Sequence, residues 1–341
     1  MKGDTAVIPF TAGDGFACNL LRVRGPREPH RGPVLLVHGA GVRANIFLAP
    51  VQRTIVDELV EAGYDVFLEN WRASIEFPPN RWTLDQAALF DHPKAVAKVI
   101  ELTGASRVKA VIHCQGSTSF TMALAAGLLP EVSTVVSNAV SMVPVVPWFS
   151  HFKLTAFLPL LHRMVDFLDP SWGLAAPGWQ AKLIRLLATS VHWECANSVC
   201  KLVSFTYGAG FPALWRHENL NADTHEWLKR EFAAVPLTFF DQILRCISAG
   251  GLVSVDGRPE LPSDFTARAP QTDARVAFFA GARNRCFLPE SQERAFAFFD
   301  RHQKGRHVLR ILPAYGHLDV FMGERAGREV FPLMLAELEK N

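Results

Sequence analysis

The sequence has 341 residues, of which 35 are Lys or Arg and 33 are Asp or Glu, so its formal net charge is only +2. Apolar residues make up 49% of the chain and charged residues 20%, a balance that excludes an intrinsically disordered protein. Because no basic or acidic run is present, nothing in the charge pattern points to nucleic acid as a partner. The length allows one large α/β domain or two ordinary ones.

No targeting or membrane-spanning segment is expected. The N-terminal residues MKGDTAVIPFTAGDG lack the apolar run of a signal peptide. The most apolar stretch, residues 139–149, is too short to span a bilayer and is interrupted by Pro144 and Pro147. The six cysteines have no paired spacing and are expected to be thiols rather than disulfides: Cys18, Cys114, Cys195, Cys200, Cys246 and Cys286. We therefore expect a cytoplasmic protein without integral membrane association; its oligomeric state stays open, a dimer included.

Short apolar runs alternate with helical stretches over the first 140 residues. Asp14-Gly15 between two alternating runs predicts an antiparallel hairpin at a sheet edge. Strands are predicted at 33–38, 64–68, 108–113 and 132–136, and helices at 51–62, 84–102 and 120–129. Continuous apolar strands separated by helices predict a parallel sheet covered on both faces.

The pattern changes at about residue 144. Between residues 144 and 262 strand signals disappear, and six of the eight tryptophans lie in this segment. Strands then return at 275–281 and 307–313, with a helix at 290–299 between them. We therefore predict a core in two parts, residues 1–143 and 266–341, interrupted by a helical cap at 144–265.

The central chemical signal is Cys114 in the segment Ile112-His113-Cys114-Gln115-Gly116-Ser117. A strand, then a nucleophile flanked by small residues, then a helix is the arrangement of a nucleophile elbow. The helix N-terminus should lower the pKa of the thiol and stabilise a thiolate. The alternative is that Cys114 is a small buried hydrophobe, the commonest environment of a cysteine.

Two further segments fit the same site. His38-Gly39-Ala40-Gly41 follows a strand, and an oxyanion hole there would use the backbone N–H of Ala40 or Gly41 together with that of Gln115. Glycine-rich turns after strands are nevertheless common. His317 lies in a loop just after the last strand, where a histidine can act as base and acid. It also follows the nucleophile in the chain, which is the order found in enzymes with a nucleophile elbow.

Taken together, these segments resemble the α/β-hydrolase family, and within it the acid-lipase-like branch. VHGAGVRANIF is similar to the oxyanion segment of that branch, NWRASIEFPPNRWTLDQAALFDHPKAVAKVI to the segment before its elbow, and YGHLDVFMG to its catalytic-histidine loop. The segment CANSVCKLVSFTYGAGFPALWRHENLNADTHEWL resembles the hydrolase modules that accompany cholesterol-oxidase-like flavoproteins. The resemblance implies an α/β-hydrolase fold, with an eight-stranded, mostly parallel sheet, helices on both faces, and a helical cap inserted after the sixth strand.

The sequence departs from that family in two places. Cys114 stands where the family usually has serine. The acid position, Gly-x-x-Asp after a strand, is Gly281-Ala282-Arg283-Asn284 here, an amide. The two departures fit each other, because a thiol can ionise to a thiolate–imidazolium pair in advance, so the third group need only accept a hydrogen bond from the ring. We therefore predict a Cys114–His317–Asn284 constellation; competing options are that Asp319 or Glu290 orients His317, or that the site has decayed.

The aromatic cap favours a hydrophobic substrate, although its aromatic residues could simply be core. We expect His38, Trp148 and Phe149 to contact that substrate. Cys195 and Cys200 have no second cysteine pair nearby, so no zinc is expected, and the absence of a Gly-rich phosphate loop with a lysine argues against a nucleotide cofactor. No cofactor is predicted.

The leading functional prediction is hydrolysis of a hydrophobic ester or thioester through an acyl-Cys114 intermediate, as in an esterase, lipase or thioesterase. The first alternative is an acyltransferase or condensing enzyme that passes the acyl group to an alcohol, amine or carbon nucleophile. The second is a catalytically inactive binding protein with a hydrophobic pocket.

Overall fold

A computed structural model describes residues 4–192 and 195–340 of the chain. Within these residues the strands are β1 Asp4–Thr11, β2 Ala17–Arg24, β3 Pro33–Val37, β4 Asp65–Asn70, β5 Val108–His113, β6 Val132–Asn138, β7 Phe167–Leu168, β8 Val235–Pro236, β9 Arg275–Gly281 and β10 Val308–Leu312. Eight of them form one sheet in the order β1-β2-β4-β3-β5-β6-β9-β10.

The predicted eight-stranded, mostly parallel sheet is confirmed. Strands β3 to β6, β9 and β10 pair in parallel with one another, whereas β1 and β2 form the predicted antiparallel hairpin at one edge. The hairpin turns at Gly15, whose φ of +90° is accessible to glycine at little cost. β2 also pairs antiparallel with β4 and so attaches the hairpin to the parallel strands.

The α-helices are α1 Ile55–Glu61, α2 Leu84–Gln86, α3 His92–Thr103, α4 Cys114–Ala125, α5 Trp148–Phe152, α6 Leu158–Leu161, α7 Trp179–Val191, α8 Ser198–Tyr207, α9 Ala222–Trp227, α10 Leu237–Ala249, α11 Pro289–His302, α12 Asp319–Met322, α13 Ala326–Glu329 and α14 Phe331–Leu338. A π-helical turn joins α2 to α3, so the predicted helix at 84–102 is continuous. The helix predicted to begin at residue 120 was placed too late, because it begins at Cys114 itself. Its whole length is buried, and this packing outweighs the low helix propensity of its glycine, serine and threonine residues.

Helices α5 to α10 lie between β6 and β9, two strands that pair directly with each other. We predicted no strands in this segment. That prediction is not fully correct, because β7 and β8, of two residues each, pair antiparallel with each other. The division at residues 144 and 265 stays a prediction. Among the described residues, no helix combines the length and the apolar character needed to cross a membrane.

The sheet brings the predicted site segments to a single edge. Every residue of β3 is buried, and β5 is buried except for one partly exposed position. Their continuous apolar runs therefore place both strands in the middle of the core. The predicted catalytic and oxyanion residues follow the ends of β3, β5, β9 and β10. The carboxyl ends of parallel strands lie at the same side of a sheet, where open α/β folds bind ligands.

Candidate active site

Cys114 occupies a strained turn between β5 and α4. Its φ of +54° lies in the left-handed region, which is costly for residues other than glycine. A Cβ added to Gly39 would lie 2.9 Å from the Cβ of Cys114, and one added to Gly116 would lie 2.1 Å from the carbonyl oxygen of His38. The two glycines therefore allow the loop after β3 and the start of α4 to approach the turn closely, as the elbow pattern predicts.

The surroundings of Cys114 favour the neutral thiol over the thiolate. Burial raises its pKa to about 12, against the opposite effect of the backbone N–H groups of Gln115 and Ala40, which face the sulfur. The side chain is only 9% exposed. Our expectation of a lowered thiol pKa at the helix N-terminus is therefore wrong, because desolvation disfavours the thiolate more strongly than these dipoles favour it.

Those same two N–H groups are the predicted oxyanion donors. Of the two donors offered by the loop after β3, Ala40 faces the sulfur, whereas the N–H of Gly41 donates to the carbonyl of Ala73 at 3.4 Å. Gly41 has a different part in the site. Its φ is +67°, and a Cβ there would lie 2.1 Å from the hydroxyl oxygen of Tyr207, which donates to the Ala40 carbonyl at 3.3 Å.

A ring nitrogen of His317 lies within 4.8 Å of the Cys114 sulfur. The loop that carries this histidine is braced by Asp319, whose carboxylate accepts from the backbone N–H of Gly316 at 2.8 Å and from that of Arg216 at 3.2 Å. Asp319 thus holds the backbone of the loop. The other acid that we considered, Glu290, is exposed at the start of α11.

Asn284 contacts the ring of His317, as predicted, but through the other end of its amide. Its Nδ2 lies 3.0 Å from Nδ1 of His317, while its Oδ1 accepts from the backbone N–H of Cys286 at 2.9 Å. Because the Cys286 N–H can only donate, the amide nitrogen must face the ring. We expected Asn284 to accept from the ring; instead it donates, so neutral His317 carries its proton on Nε2. Burial lowers the pKa of His317 to about 3, which keeps the ring neutral.

Two residues with no predicted role complete this group. The rings of His113 and His317 have centroids 4.7 Å apart. Asn138 donates through Nδ2 to Nδ1 of His113 at 2.9 Å and to the backbone carbonyl of His317 at 3.2 Å. The sequence did hold a signal for them, since His113 precedes Cys114 directly and Asn138 ends β6, the strand that pairs with β5.

The three predicted substrate contacts have different surroundings. His38 is fully buried, with Nδ1 2.6 Å from the carbonyl oxygen of Gly39 and its ring beside Trp71. Its contact with a substrate stays a prediction. Trp148 is 77% and Phe149 44% exposed at the start of α5. Those two side chains are available to an apolar ligand.

A second group of reactive side chains lies in the segment between β6 and β9. Cys195, Cys200, His217 and His225 place one sulfur or ring nitrogen each within 4.8 Å of one another. We expected no metal site because Cys195 and Cys200 have no second cysteine pair. That expectation considered the cysteines alone, and the fold also brings two histidines from further along the chain next to them.

Comparison with known proteins identifies the fold family. Residues 32–233, more than half of the sequence, match the alpha/beta hydrolase fold. The chain belongs to this family. The association with cholesterol-oxidase-like flavoproteins stays a prediction.

Curated relatives of this α/β-hydrolase are lipases and esterases. Lipase member K of Homo sapiens is 22% identical over 97% of this chain and 86% of its own length. Sterol esterase 2 of Saccharomyces cerevisiae is 26% identical over 45% of this chain, and the match spans only 32% of that longer protein.

Solved structures agree on the fold. A monoacylglycerol lipase from Paleococcus ferrophilus has a TM-score of 0.58 at 14% identity, over 98% of both chains. An esterase from Thermogutta terrifontis has a TM-score of 0.57 at 15% identity, over 99% of this chain and all of its own. At these identities the match establishes the arrangement of the chain alone.

Proposed function

We propose that this α/β-hydrolase cleaves hydrophobic esters or thioesters through an acyl-Cys114 intermediate. The observation that carries the proposal is the convergence on one sulfur of two backbone N–H groups, from Ala40 and Gln115, and of the buried ring of His317. A nucleophile, two oxyanion donors and a base are the parts that acyl transfer requires. The lipase and esterase relatives support the same class of substrate.

In the first half of the reaction, the sulfur of Cys114 attacks the carbonyl carbon of the ester. The thiol proton passes to Nε2 of His317, and the oxyanion that forms accepts hydrogen bonds from Ala40 and Gln115. When the tetrahedral intermediate collapses, the C–O bond breaks and the leaving alkoxide takes the proton from His317. The products of this half are an alcohol and a thioester of Cys114.

In the second half, water attacks the thioester carbonyl and gives a proton to His317. The same two N–H groups hold the second oxyanion. Collapse breaks the C–S bond, the sulfur recovers its proton from the imidazolium, and the carboxylic acid leaves. The proposed cycle needs no metal ion or organic cofactor.

Base catalysis by His317 requires a change at Asn284. Nε2 can accept the thiol proton only if the ring proton resides on Nδ1, and Nδ1–H then needs an acceptor. Turning the amide of Asn284 over would present Oδ1 to the ring at the expense of the hydrogen bond from the N–H of Cys286. The turned amide leaves the buried N–H of Cys286 without an acceptor, which costs about 1 to 3 kcal/mol, so it is a minor state that the proposed cycle would pass through.

The decisive experiment measures acylation of the Cys114 thiol. Intact-mass spectra recorded milliseconds to seconds after mixing with p-nitrophenyl esters should show one added acyl group, and peptide mapping should place it on Cys114. Cys114→Ala should lose both the adduct and the turnover, whereas Cys246→Ala, a buried cysteine in α10, should keep both. Turnover by Cys114→Ala would exclude the thiol as nucleophile. Binding of esters without adduct or turnover would identify a binding protein instead.

Transfer of the acyl group to an acceptor other than water is favoured by the nucleophile itself. A thioester reacts with amines and other soft nucleophiles more readily than an oxyester does, and the sulfur lies in a buried site from which bulk water is largely excluded. Adding alcohols or amines to the ester assay and measuring the ratio of transfer product to free acid tests this candidate. A ratio that follows the molar ratio of acceptor to water alone would favour hydrolysis.

A further inference from the structure

Four metal-binding side chains come together in the cap from separate parts of the sequence. Cys195 lies in the connection between α7 and α8, and Cys200 lies in the first turn of α8. His217 begins a short 3₁₀ helix, His217–Asn219, and His225 lies in α9. One ligand atom from each side chain falls within a group whose members are all within 4.8 Å of one another.

We propose that Cys195, Cys200, His217 and His225 bind a structural zinc ion. A tetrahedral zinc with Zn–S bonds of about 2.3 Å and Zn–N bonds of about 2.0 Å has ligand-to-ligand distances of about 3.3 to 3.8 Å. Nε2 of His217 lies 3.4 Å from the sulfur of Cys200, and Nε2 of His225 lies 3.9 Å from the sulfur of Cys195. The pairs thus already stand near the spacing that a bound ion would impose.

The donor set selects the metal. Two thiolates and two neutral imidazoles are soft ligands that suit zinc, whereas calcium and magnesium require oxygen ligands. Binding would release two thiol protons to solvent, and the two thiolate charges would neutralise the charge of Zn²⁺. Four protein ligands leave no coordination position for water, which is the composition of a structural site.

Asn197 holds the first two ligands in place. Its Oδ1 accepts from the backbone N–H of Val199 at 3.0 Å and of Cys200 at 3.1 Å, which caps α8 and fixes the turn that carries Cys200. Its Nδ2 donates to the backbone carbonyl of His225 at 2.8 Å. A single buried side chain thus connects the cysteine segment to the helix of one histidine ligand.

The proposed site would also stabilise the loop of His317. Asn219, two residues after His217, donates from Nδ2 to the carboxylate of Asp319 at 2.6 Å and to the carbonyl of Ala314 at 2.9 Å. The carbonyl of Leu214, on the other side of His217, accepts from the backbone N–H of His317 at 3.1 Å. The metal would therefore fix the chain segment on which the loop of His317 rests.

Metal analysis of the purified full-length protein tests the proposal directly. After expression with added zinc and gel filtration, elemental analysis by plasma mass spectrometry should find about one zinc per chain. Cys195→Ser, Cys200→Ser, His217→Gln and His225→Gln should each lose most of it, whereas Cys246→Ala and the exposed His302→Gln should retain it. The measurement is independent of esterase activity, so it stands or falls separately from the role of Cys114.

Cobalt exchange provides a second measurement on the unmodified chain, in case ligand variants fail to fold. Co²⁺ bound to two thiolates in a tetrahedral site should give intense visible d–d bands and sulfur-to-cobalt charge transfer, and zinc should remove both. Absence of bound zinc and of these bands would overturn the proposal. A disulfide between Cys195 and Cys200, detected as a loss of two hydrogens that reductant reverses, would equally overturn it.

Discussion

The side-chain nitrogen of Asn284 lies 3.0 Å from Nδ1 of His317, and the side-chain oxygen of Asn284 is already bonded to a backbone N–H. The amide therefore acts as a donor to the ring, where the carboxylate usual in this family would act as an acceptor. It stabilises the neutral histidine with its proton on Nε2 and offers nothing to an imidazolium. The resting site is held in its uncharged form.

Replacing Asn284 by aspartate should therefore increase activity. A carboxylate at this position can accept from the N–H of Cys286 and from Nδ1–H of His317 together, so the amide rotation is no longer needed, and its charge raises the pKa of the imidazole. We expect a kcat/KM for Asn284→Asp at or above that of wild type, with the pH–rate profile moved towards higher pH. Asn284→Ala should lose activity, and an unchanged kcat/KM in that variant would remove Asn284 from the site.

A serine nucleophile tests the same pair more sharply. Cys114→Ser should fall by about 10⁴ in kcat, because a serine–histidine pair depends on a carboxylate behind the ring. The double variant Cys114→Ser with Asn284→Asp should recover part of that loss, so the two effects should be non-additive in a double-mutant cycle. Additive effects would mean that the two positions do not share one hydrogen-bond chain.

The protonated state of the thiol predicts its reactivity in the resting protein. Because burial raises the pKa of Cys114 to about 12, iodoacetamide should label this residue slowly at pH 7, and the rate should rise about tenfold per pH unit up to pH 9. Peptide mapping with Cys114→Ala as the blank identifies the site. Fast labelling that does not change between pH 5 and 8 would instead indicate a preformed thiolate–imidazolium pair.

The exposed aromatic residues of α5 predict a preference for long acyl groups. If Trp148 and Phe149 cover the acyl chain, each added CH₂ should raise kcat/KM by about fourfold, the equivalent of about 0.8 kcal/mol, until the site is filled. Trp148→Ala should reduce kcat/KM for octanoyl esters and leave that for acetyl esters unchanged. Trp179→Ala, an exposed tryptophan in α7, is the matched control. A wild-type preference for acetyl esters would contradict the prediction.

Acid should destabilise the fold through its buried histidines. Burial lowers the pKa of His38 and of His317 to about 3, from an ordinary value of 6.5. Below pH 6.5 the unfolded chain binds protons that the folded protein excludes, so each histidine removes about 1.4 kcal/mol of the free energy of unfolding per pH unit down to pH 3. Burial raises the pKa of Asp319 to about 6, and it also raises the pKa values of Glu69 and Asp169; these carboxyl groups act in the opposite direction.

Urea unfolding at pH 7.5, 6.5, 5.5 and 4.5 measures that slope. His38→Gln should reduce the slope of the unfolding free energy against pH by the contribution of one histidine. His302→Gln, a change at an exposed histidine, should leave that slope unchanged. A free energy of unfolding that stays constant from pH 7.5 to 4.5 would show that these rings are not excluded from protonation.

Much of the fold is encoded locally and could be predicted. Strands β5 and β9 were predicted to the residue, because both are short apolar runs bounded by turn residues. The start of α4 was missed because Gly116 and Ser117 have low helix propensity, and burial of the whole helix is a tertiary effect. The two-residue strands β7 and β8 are too short to leave a pattern.

The sequence predicts which residues form the candidate site better than it predicts their protonation states and hydrogen-bond roles. Cys114, His317 and Asn284 follow strands, so the sheet brings them together, as their positions in the sequence indicate. The donor role of Asn284 depends on the N–H of Cys286, and the protonation of Cys114 depends on burial; both arise only in the folded chain. The proximity of His217 and His225 to Cys195 and Cys200 could not be predicted, because the two histidines follow the cysteines at no regular metal-ligand spacing.

The direct pairing of β6 with β9 has a consequence for synthesis of the chain. More than 130 residues separate Asn138, the last residue of β6, from Arg275, the first residue of β9. At 5 to 20 residues per second, the ribosome needs about 7 to 30 seconds to produce the partner of β6. During that interval the apolar edge of a half-built sheet is exposed to other nascent chains. Expression at a lower temperature, or together with a holding chaperone, should therefore raise the yield of soluble protein more than any substitution at the active site.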